Sequence, residues 1–96
     1  MARLTAPIMP SQIIEEPLYT EQINNLHIDW KRLDEAFTDL QPAILLVPDI
    51  FPLVPGTKLR RVQIVGFPGV PPLSIFFAVV GNVAHLVAAE LISGED

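Results

Sequence analysis

The sequence contains no cysteine, which excludes disulfide bonds, thiolate metal ligands and cysteine nucleophiles. Basic residues are also scarce: six lysines and arginines stand against eleven acidic residues. The resulting net charge of −5 argues against a general electrostatic nucleic-acid binder, because phosphate contacts need a surplus of cations. Any contact with RNA or the ribosome would have to be local. The chain has only two histidines, His27 and His85, far apart in sequence and without metal-ligand spacing. We therefore expect neither a metal nor a cofactor.

The chain is instead rich in hydrophobic residues. Half of its 96 residues are hydrophobic and its mean hydropathy is +0.42, which is high for a domain of this size. The first twelve residues contain no long apolar run, so we expect no signal peptide and a cytoplasmic location. Some of the excess apolar surface is expected to lie in an interface with another protein.

One segment, Leu73 to Ile92, is long enough on paper to cross a membrane as a helix. It contains Glu90, and an acidic residue inside a span costs about 2–3 kcal/mol. It also has Gly81-Asn82 at its midpoint, a dipeptide that suits a two-residue hairpin turn. We therefore predict two strands and no contact with a membrane.

The clearest helix follows Asp29, whose carboxylate can accept the unpaired N–H groups of a first turn. Pro42 predicts a kink or a restart in this helix, and Pro48 predicts its end. The helix is amphipathic, because five apolar residues recur at spacings of three and four: Trp30, Leu33, Phe37, Leu40 and Ile44.

Three strands are predicted in the second half, over Leu59 to Val65, Leu73 to Val80 and Val83 to Leu91. A type II′ turn at Gly81-Asn82 would set the pairing of the last two strands. On one face the expected pairs are Val80–Val83, Ala78–His85, Phe76–Val87 and Ser74–Ala89. On the other face they are Val79–Ala84, Phe77–Leu86, Ile75–Ala88 and Leu73–Glu90. A helix over Val83 to Ile92 is the alternative that residue propensities leave open.

Together these segments predict the α+β class, with an N-terminal strand and helices packed on a C-terminal three-strand antiparallel meander. The first strand is expected within Ser11 to Glu15. We divide the chain into a flexible arm over 1–10, a single domain over 11–92 and an acidic tail over 93–96.

The order of these elements resembles that of the RelE/ParE toxin superfamily. "WKRLDEAFTDL" resembles the second helix of that family, "VPGTKLRRVQI" its loop and basic second strand, and "PPLSIFFAVVGNVAHLVAAE" its last hairpin. The resemblance covers roughly residues 11 to 92. It implies a toxin-type protein that binds an antitoxin partner.

Ribosome-dependent members of that family cleave mRNA without a metal. Here the third strand reads Pro72-Leu73-Ser74-Ile75 where such members carry an arginine, and no tyrosine or histidine follows Leu91. The resemblance therefore implies a weak or lost metal-independent ribonuclease activity. A non-catalytic interaction module or homodimer of the same fold is the alternative.

The candidate catalytic set is Lys58, Arg61 and His85. If Val62 and Ile64 face the core, Arg61 lies on the opposite face, where His85 is also expected. The three side chains would then converge as a phosphate clamp with a proton shuttle. The competing interpretation is that Lys58 and Arg61 are solvated edge charges and His85 is an ordinary sheet residue.

The candidate partner-binding residues are Phe76, Val80, Val83 and Val87. They form a second apolar row on the face of the hairpin that the helix does not cover, and a contiguous row of this kind marks a binding surface. An antitoxin segment or a second copy of the chain would cover it.

Three other features have plain structural interpretations. Adjacent Glu15 and Glu16 resemble a carboxylate pair for acid–base catalysis, but such pairs usually solvate the end of a strand. Trp30 heads the apolar stripe and is expected in the core. His27 is expected to lead into the helix.

Overall fold

The computed structural model describes residues 12–66 and 68–92. The predicted arm over 1–10 and the tail over 93–96 lie outside the described residues. The described residues fold into two α-helices and a four-stranded mixed sheet, so the α+β class is confirmed. The elements are β1 (Gln12–Glu15), α1 (Pro17–Asn25), α2 (Trp30–Leu46), a 3-10 turn (Pro48–Ile50), β2 (Arg60–Ile64), β3 (Leu73–Val80) and β4 (Val83–Leu91).

The long helix α2 begins as predicted. The Asp29 carboxylate accepts hydrogen bonds from the backbone N–H groups of Lys31 and Arg32, at 3.0 and 3.4 Å. The helix does not restart at Pro42 and continues to Leu46. Proline removes only one backbone donor, and the remaining apolar contacts of α2 hold the helix against the core.

The sheet has the order β1-β4-β3-β2. Strands β2, β3 and β4 form the predicted antiparallel meander, and β1 pairs with β4 in parallel. An extended segment over residues 52–54 pairs with the outer edge of β2 and widens the sheet. The N–H of Arg61 donates to the carbonyl of Pro52, and the N–H of Val54 donates to the carbonyl of Leu59.

The hairpin of β3 and β4 follows the predicted register only for its first half. Gly81 has a φ of +61° and Asn82 does not have positive φ, as a type II′ turn requires. The four pairs nearest the turn are confirmed: Val80–Val83, Val79–Ala84, Ala78–His85 and Phe77–Leu86. Beyond them the prediction is wrong, because one extra residue of β4 forms a β-bulge. The observed pairs there are Phe76–Ala88, Ile75–Ala89, Ser74–Glu90 and Leu73–Leu91.

The bulge lies where β4 loses its parallel neighbour. The last backbone contact of the β1 chain with β4 is the N–H of Glu16, which donates to the carbonyl of Leu86 at 2.9 Å. Three residues further on, the N–H of Ala89 donates to the side chain of Gln22 on α1 at 2.7 Å. A helix side chain therefore completes the edge of β4 that β1 leaves open.

The core lies between the two helices and one face of the sheet. Leu33, Phe37 and Ile44 of the predicted stripe are buried, and Trp30 and Leu40 pack against them half-buried. The shorter helix α1 adds Tyr19 and Ile23, both fully buried. The sheet contributes the predicted core residues Ile75, Phe77 and Leu86, together with Val62, Ile64, Leu73, Ala84 and Ala89.

Neither helix covers the opposite face of the sheet, which we call the open face. Along β3 it carries Phe76, Ala78 and Val80, and on β4 it carries Val83, His85 and Val87. None of the helices in the part of the chain that the structure describes is long and apolar enough to cross a membrane. The open face is the part of the fold that its own helices leave without cover.

Candidate functional site

The four predicted partner-binding residues all lie on the open face. Val80 is the most exposed of them, at 64 %, and Phe76, Val83 and Val87 are half-buried. Leu18 of α1 and Ile14 of β1 extend the apolar surface at its edge, with exposures of 49 % and 37 %. Backbone pairing and strand alternation bring these side chains together, so the row is contiguous. That the row binds a partner stays a prediction.

At the centre of this surface His85 forms a short contact with a carboxylate. Its Nδ1 lies 2.6 Å from Oε2 of Glu16. Glu16 is the N-cap residue of α1, yet its side chain makes no hydrogen bond to the helix and turns to His85 instead. Both side chains are partly buried, with exposures of 29 % and 37 %. The pair therefore links β4 to the start of α1.

The His85–Glu16 pair lies in an open depression of about 600 Å³. The other side chains that line it are apolar: Pro17, Leu18, Ala78, Val80 and Val87. The depression exists because Ala78, the residue paired with His85, has only a methyl group and leaves space above the sheet. We call this space the His85 pocket. It is an apolar recess with one polar pair in it.

A second depression, of about 260 Å³, lies at the other end of the open face. The extended segment Pro52–Pro55 forms one wall, and Phe76, Arg61 and Glu90 complete the lining. Within the described residues, neither Arg61 nor Glu90 forms an ion pair. This recess offers one cation and one anion beside an aromatic ring.

The three predicted catalytic residues do not share one recess. Arg61 on β2 and His85 on β4 are on the same face, but β3 lies between them, and two strand spacings amount to about 10 Å. Each of the two lines a different depression. Lys58 lies exposed in the loop before β2. Their catalytic role stays a prediction.

Arg60, the neighbour of Arg61, has a structural role. Its guanidinium donates to the carbonyl of Phe51 at 2.7 Å and lies 3.4 Å from the carboxylate of Asp49. These contacts tie the segment after α2 to β2. The two adjacent arginines therefore differ, because Arg60 makes contacts that stabilise the fold and the exposed Arg61 is available to a ligand.

On the helix side of the sheet, two titratable groups, Tyr19 and Glu15, have raised pKa values. Burial and then the nearby carboxylates of Glu15 and Asp34 raise the pKa of Tyr19. Burial and the charge of Asp34 also raise the pKa of Glu15. Tyr19 is fully buried and keeps its proton at physiological pH, so it is a core residue.

Sequence reasoning missed Glu16 as the partner of His85. We expected the two adjacent glutamates to solvate the end of a strand. The signal that was present is the proline after Glu16, which starts a helix and fixes an extended backbone before it. The parallel pairing of β1 with β4, which brings Glu16 beside His85, has no signature in the sequence.

Trp30 and His27 have structural positions, as expected. Trp30 packs against the core and its Nε1–H donates to the side chain of Asn24 at 2.8 Å. His27 is exposed in the turn between the helices, with a φ of +55°. In the described residues no group of three or more histidine and acidic side chains is arranged to hold a metal ion.

No family model matches the chain, and no curated protein matches it. The RelE/ParE resemblance therefore rests on the sequence pattern alone and stays a prediction.

Proposed function

We propose that the chain is a RelE/ParE-like, toxin-type protein whose open face binds a segment of an antitoxin-like partner. The observation that carries the binding part is the contiguous apolar surface of the open face, with Val80 64 % exposed at the end of β3. The antitoxin part rests on the resemblance in the sequence. The rest of the proposal follows from the physical cost of leaving this surface in water.

Covering this surface is favourable because each large apolar side chain that becomes fully buried contributes about 1.5–3 kcal/mol. The four side chains of the row and Leu18 would form the apolar centre of such an interface. The charged groups Arg61 and Glu90 lie at one end of the face, where they form part of its polar rim. An apolar centre with a polar rim is the usual arrangement of a protein-binding surface.

The net charge of −5 favours a partner with basic residues around its apolar contact. Opposite charge speeds the encounter and selects among partners, whereas the apolar row supplies most of the affinity.

The proposal includes at most weak ribonuclease activity. Phosphate cleavage without a metal needs cations and a proton-transfer group within reach of one phosphate. Lys58, Arg61 and His85 are spread over a loop and two depressions, so they do not offer that arrangement in this conformation.

The test is expression of the chain in a bacterial host, alone and together with a candidate partner, the product of any short gene that neighbours its own. A toxin-type protein slows growth when expressed alone, and its partner relieves the effect and co-purifies with it. Val80→Lys should abolish co-purification, because the interface would bury an unpaired ammonium group. Val65→Lys is the matched control, since Val65 is 85 % exposed and lies outside the open face.

Two results would contradict the proposal. The first is normal growth with no co-purifying partner. The second is equal loss of the complex in Val80→Lys and Val65→Lys. If the wild-type chain instead forms a dimer that Val80→Lys dissociates, the open face binds a second copy, and the homodimer alternative replaces the antitoxin.

A further inference from the structure

The His85 pocket combines apolar walls with one polar pair, His85 and Glu16. The Nδ1 of His85 is occupied by Glu16 at 2.6 Å. The other ring nitrogen, Nε2, has no hydrogen-bond partner within the described residues. Since His85 and Glu16 both line the depression, a ligand in the pocket can reach Nε2 of His85 and the carboxylate of Glu16.

The carboxylate of Glu16 determines what Nε2 offers to a ligand. An ionised carboxylate only accepts hydrogen bonds, so the Nδ1 of a neutral imidazole beside it carries the proton. The Nε2 atom is then left with a lone pair and acts as an acceptor. The pocket therefore fits a group that is apolar over most of its surface and ends in one hydrogen-bond donor.

We propose that the His85 pocket is the anchor site for a tyrosine side chain of the partner segment, with the phenol O–H donating to His85 Nε2. This proposal rests on the proposed function, because it names the side chain that the partner places on the open face. The ring would contact Leu18, Val80 and Val87, and tyrosine is enriched among the residues that dominate binding energy. Phenylalanine would fill the same space but would leave Nε2 without a partner in a dry interface.

The test uses two capped peptides, acetyl-Ala-Tyr-Ala-amide and acetyl-Ala-Phe-Ala-amide, titrated into the full chain and followed by two-dimensional NMR of the backbone amides. The small probes p-cresol and 4-methylanisole form a second pair, because the ether can accept a hydrogen bond but cannot donate one. We expect p-cresol and the tyrosine peptide to shift the amides around His85 and Ala78. Each should bind about threefold to tenfold more tightly than its partner without a donor.

The variants are His85→Phe and His27→Asn. His85→Phe keeps a ring in the sheet, and it is combined with Glu16→Leu because the carboxylate that also lines the pocket would otherwise accept the same O–H. With both acceptors removed, the preference for the O–H probes should disappear. His27→Asn is the matched control, because it removes the other histidine at an exposed position of positive φ that asparagine tolerates. It should leave the preference unchanged. If the double variant does not fold, the two pairs of probes on the wild-type chain still decide the matter.

Three results would overturn the proposal: equal affinity within both pairs, amide shifts away from the pocket, or p-cresol binding without binding of the tyrosine peptide. The last result would assign the pocket to free phenols. None of these results depends on growth or co-purification, so failure of the anchor and failure of the proposed function are distinguishable.

Discussion

The two faces of the sheet are built from the same kinds of residue but differ in what covers them. On the helix side, Ile75, Phe77 and Leu86 are fully buried under α1 and α2. On the open face, no helix of the described part of the chain lies above Val80, which is 64 % exposed, and its neighbours in the row are only half-buried. Hydrophobicity alone therefore does not distinguish a core from a binding surface. Strand alternation and the position of the helices do.

The largest expected effect concerns this difference in burial. Leu86→Ala should lower the free energy of unfolding by about 2–5 kcal/mol, because it leaves a cavity at a fully buried position. Val80→Ala on the next strand should change it by less than about 1 kcal/mol, because Val80 is already largely solvated. Chemical denaturation of both variants measures the contrast. Equal losses would mean that the two faces do not differ as described.

The adjacent residues Arg60 and Arg61 allow a second comparison, between a side chain bonded within the fold and an exposed one. Arg60→Ala should destabilise the protein by about 1–2 kcal/mol, because it removes a partly buried hydrogen bond to the carbonyl of Phe51. Arg61→Ala should leave stability within about 0.5 kcal/mol, since its side chain is exposed and holds no ion pair within the described residues. Thermal or chemical unfolding tests both variants. A larger loss for Arg61 would show that it supports the fold and is not available to a ligand.

The smallest expected effect is electrostatic and lies on the helix side. Because burial and Asp34 raise the pKa of Glu15 in the folded state, ionisation of Glu15 costs more in the folded than in the unfolded chain. Its contribution to stability therefore falls as pH rises from the ordinary glutamate pKa, about 4.3, through the raised value. Glu15→Gln should be more stable than wild type at neutral pH, and the difference should vanish below the ordinary pKa.

The control for this pH experiment is Glu21→Gln, which removes the same charge from an exposed position on α1. It should show a smaller pH-dependent gain than Glu15→Gln in unfolding curves collected between acid and neutral pH. Identical curves for the two variants would mean that net charge, and not the surroundings of Glu15, sets the dependence.

Local patterns in the sequence predict most of the fold. The cap at Asp29, the stripe of α2, the turn at Gly81-Asn82 and the two strands beside it follow from spacing and turn chemistry, and the structure confirms them. The β-bulge in β4, where Val87 is the extra residue, could not be predicted from such patterns. A bulge depends on what lies beside β4 and not on the turn at which the hairpin starts.

The candidate site was predicted only in part, for the same reason. Strand alternation placed Phe76, Val80, Val83, Arg61 and His85 on one face. It did not predict which side chains meet, since the contact of His85 with Glu16 joins residues far apart in sequence through a parallel strand pair. Long-range pairing of this kind leaves no periodic signal along the chain.

The most direct test of the account is sedimentation of the wild-type chain, Val80→Lys and Val65→Lys, each over a wide concentration range, alone and with the candidate partner. The account predicts a complex for wild type and for Val65→Lys, and binding at least about tenfold weaker for Val80→Lys, because a lysine in the apolar row would have to be desolvated on binding. A wild-type chain that stays monomeric and unbound under all these conditions would contradict it, as would equal behaviour of the two lysine variants.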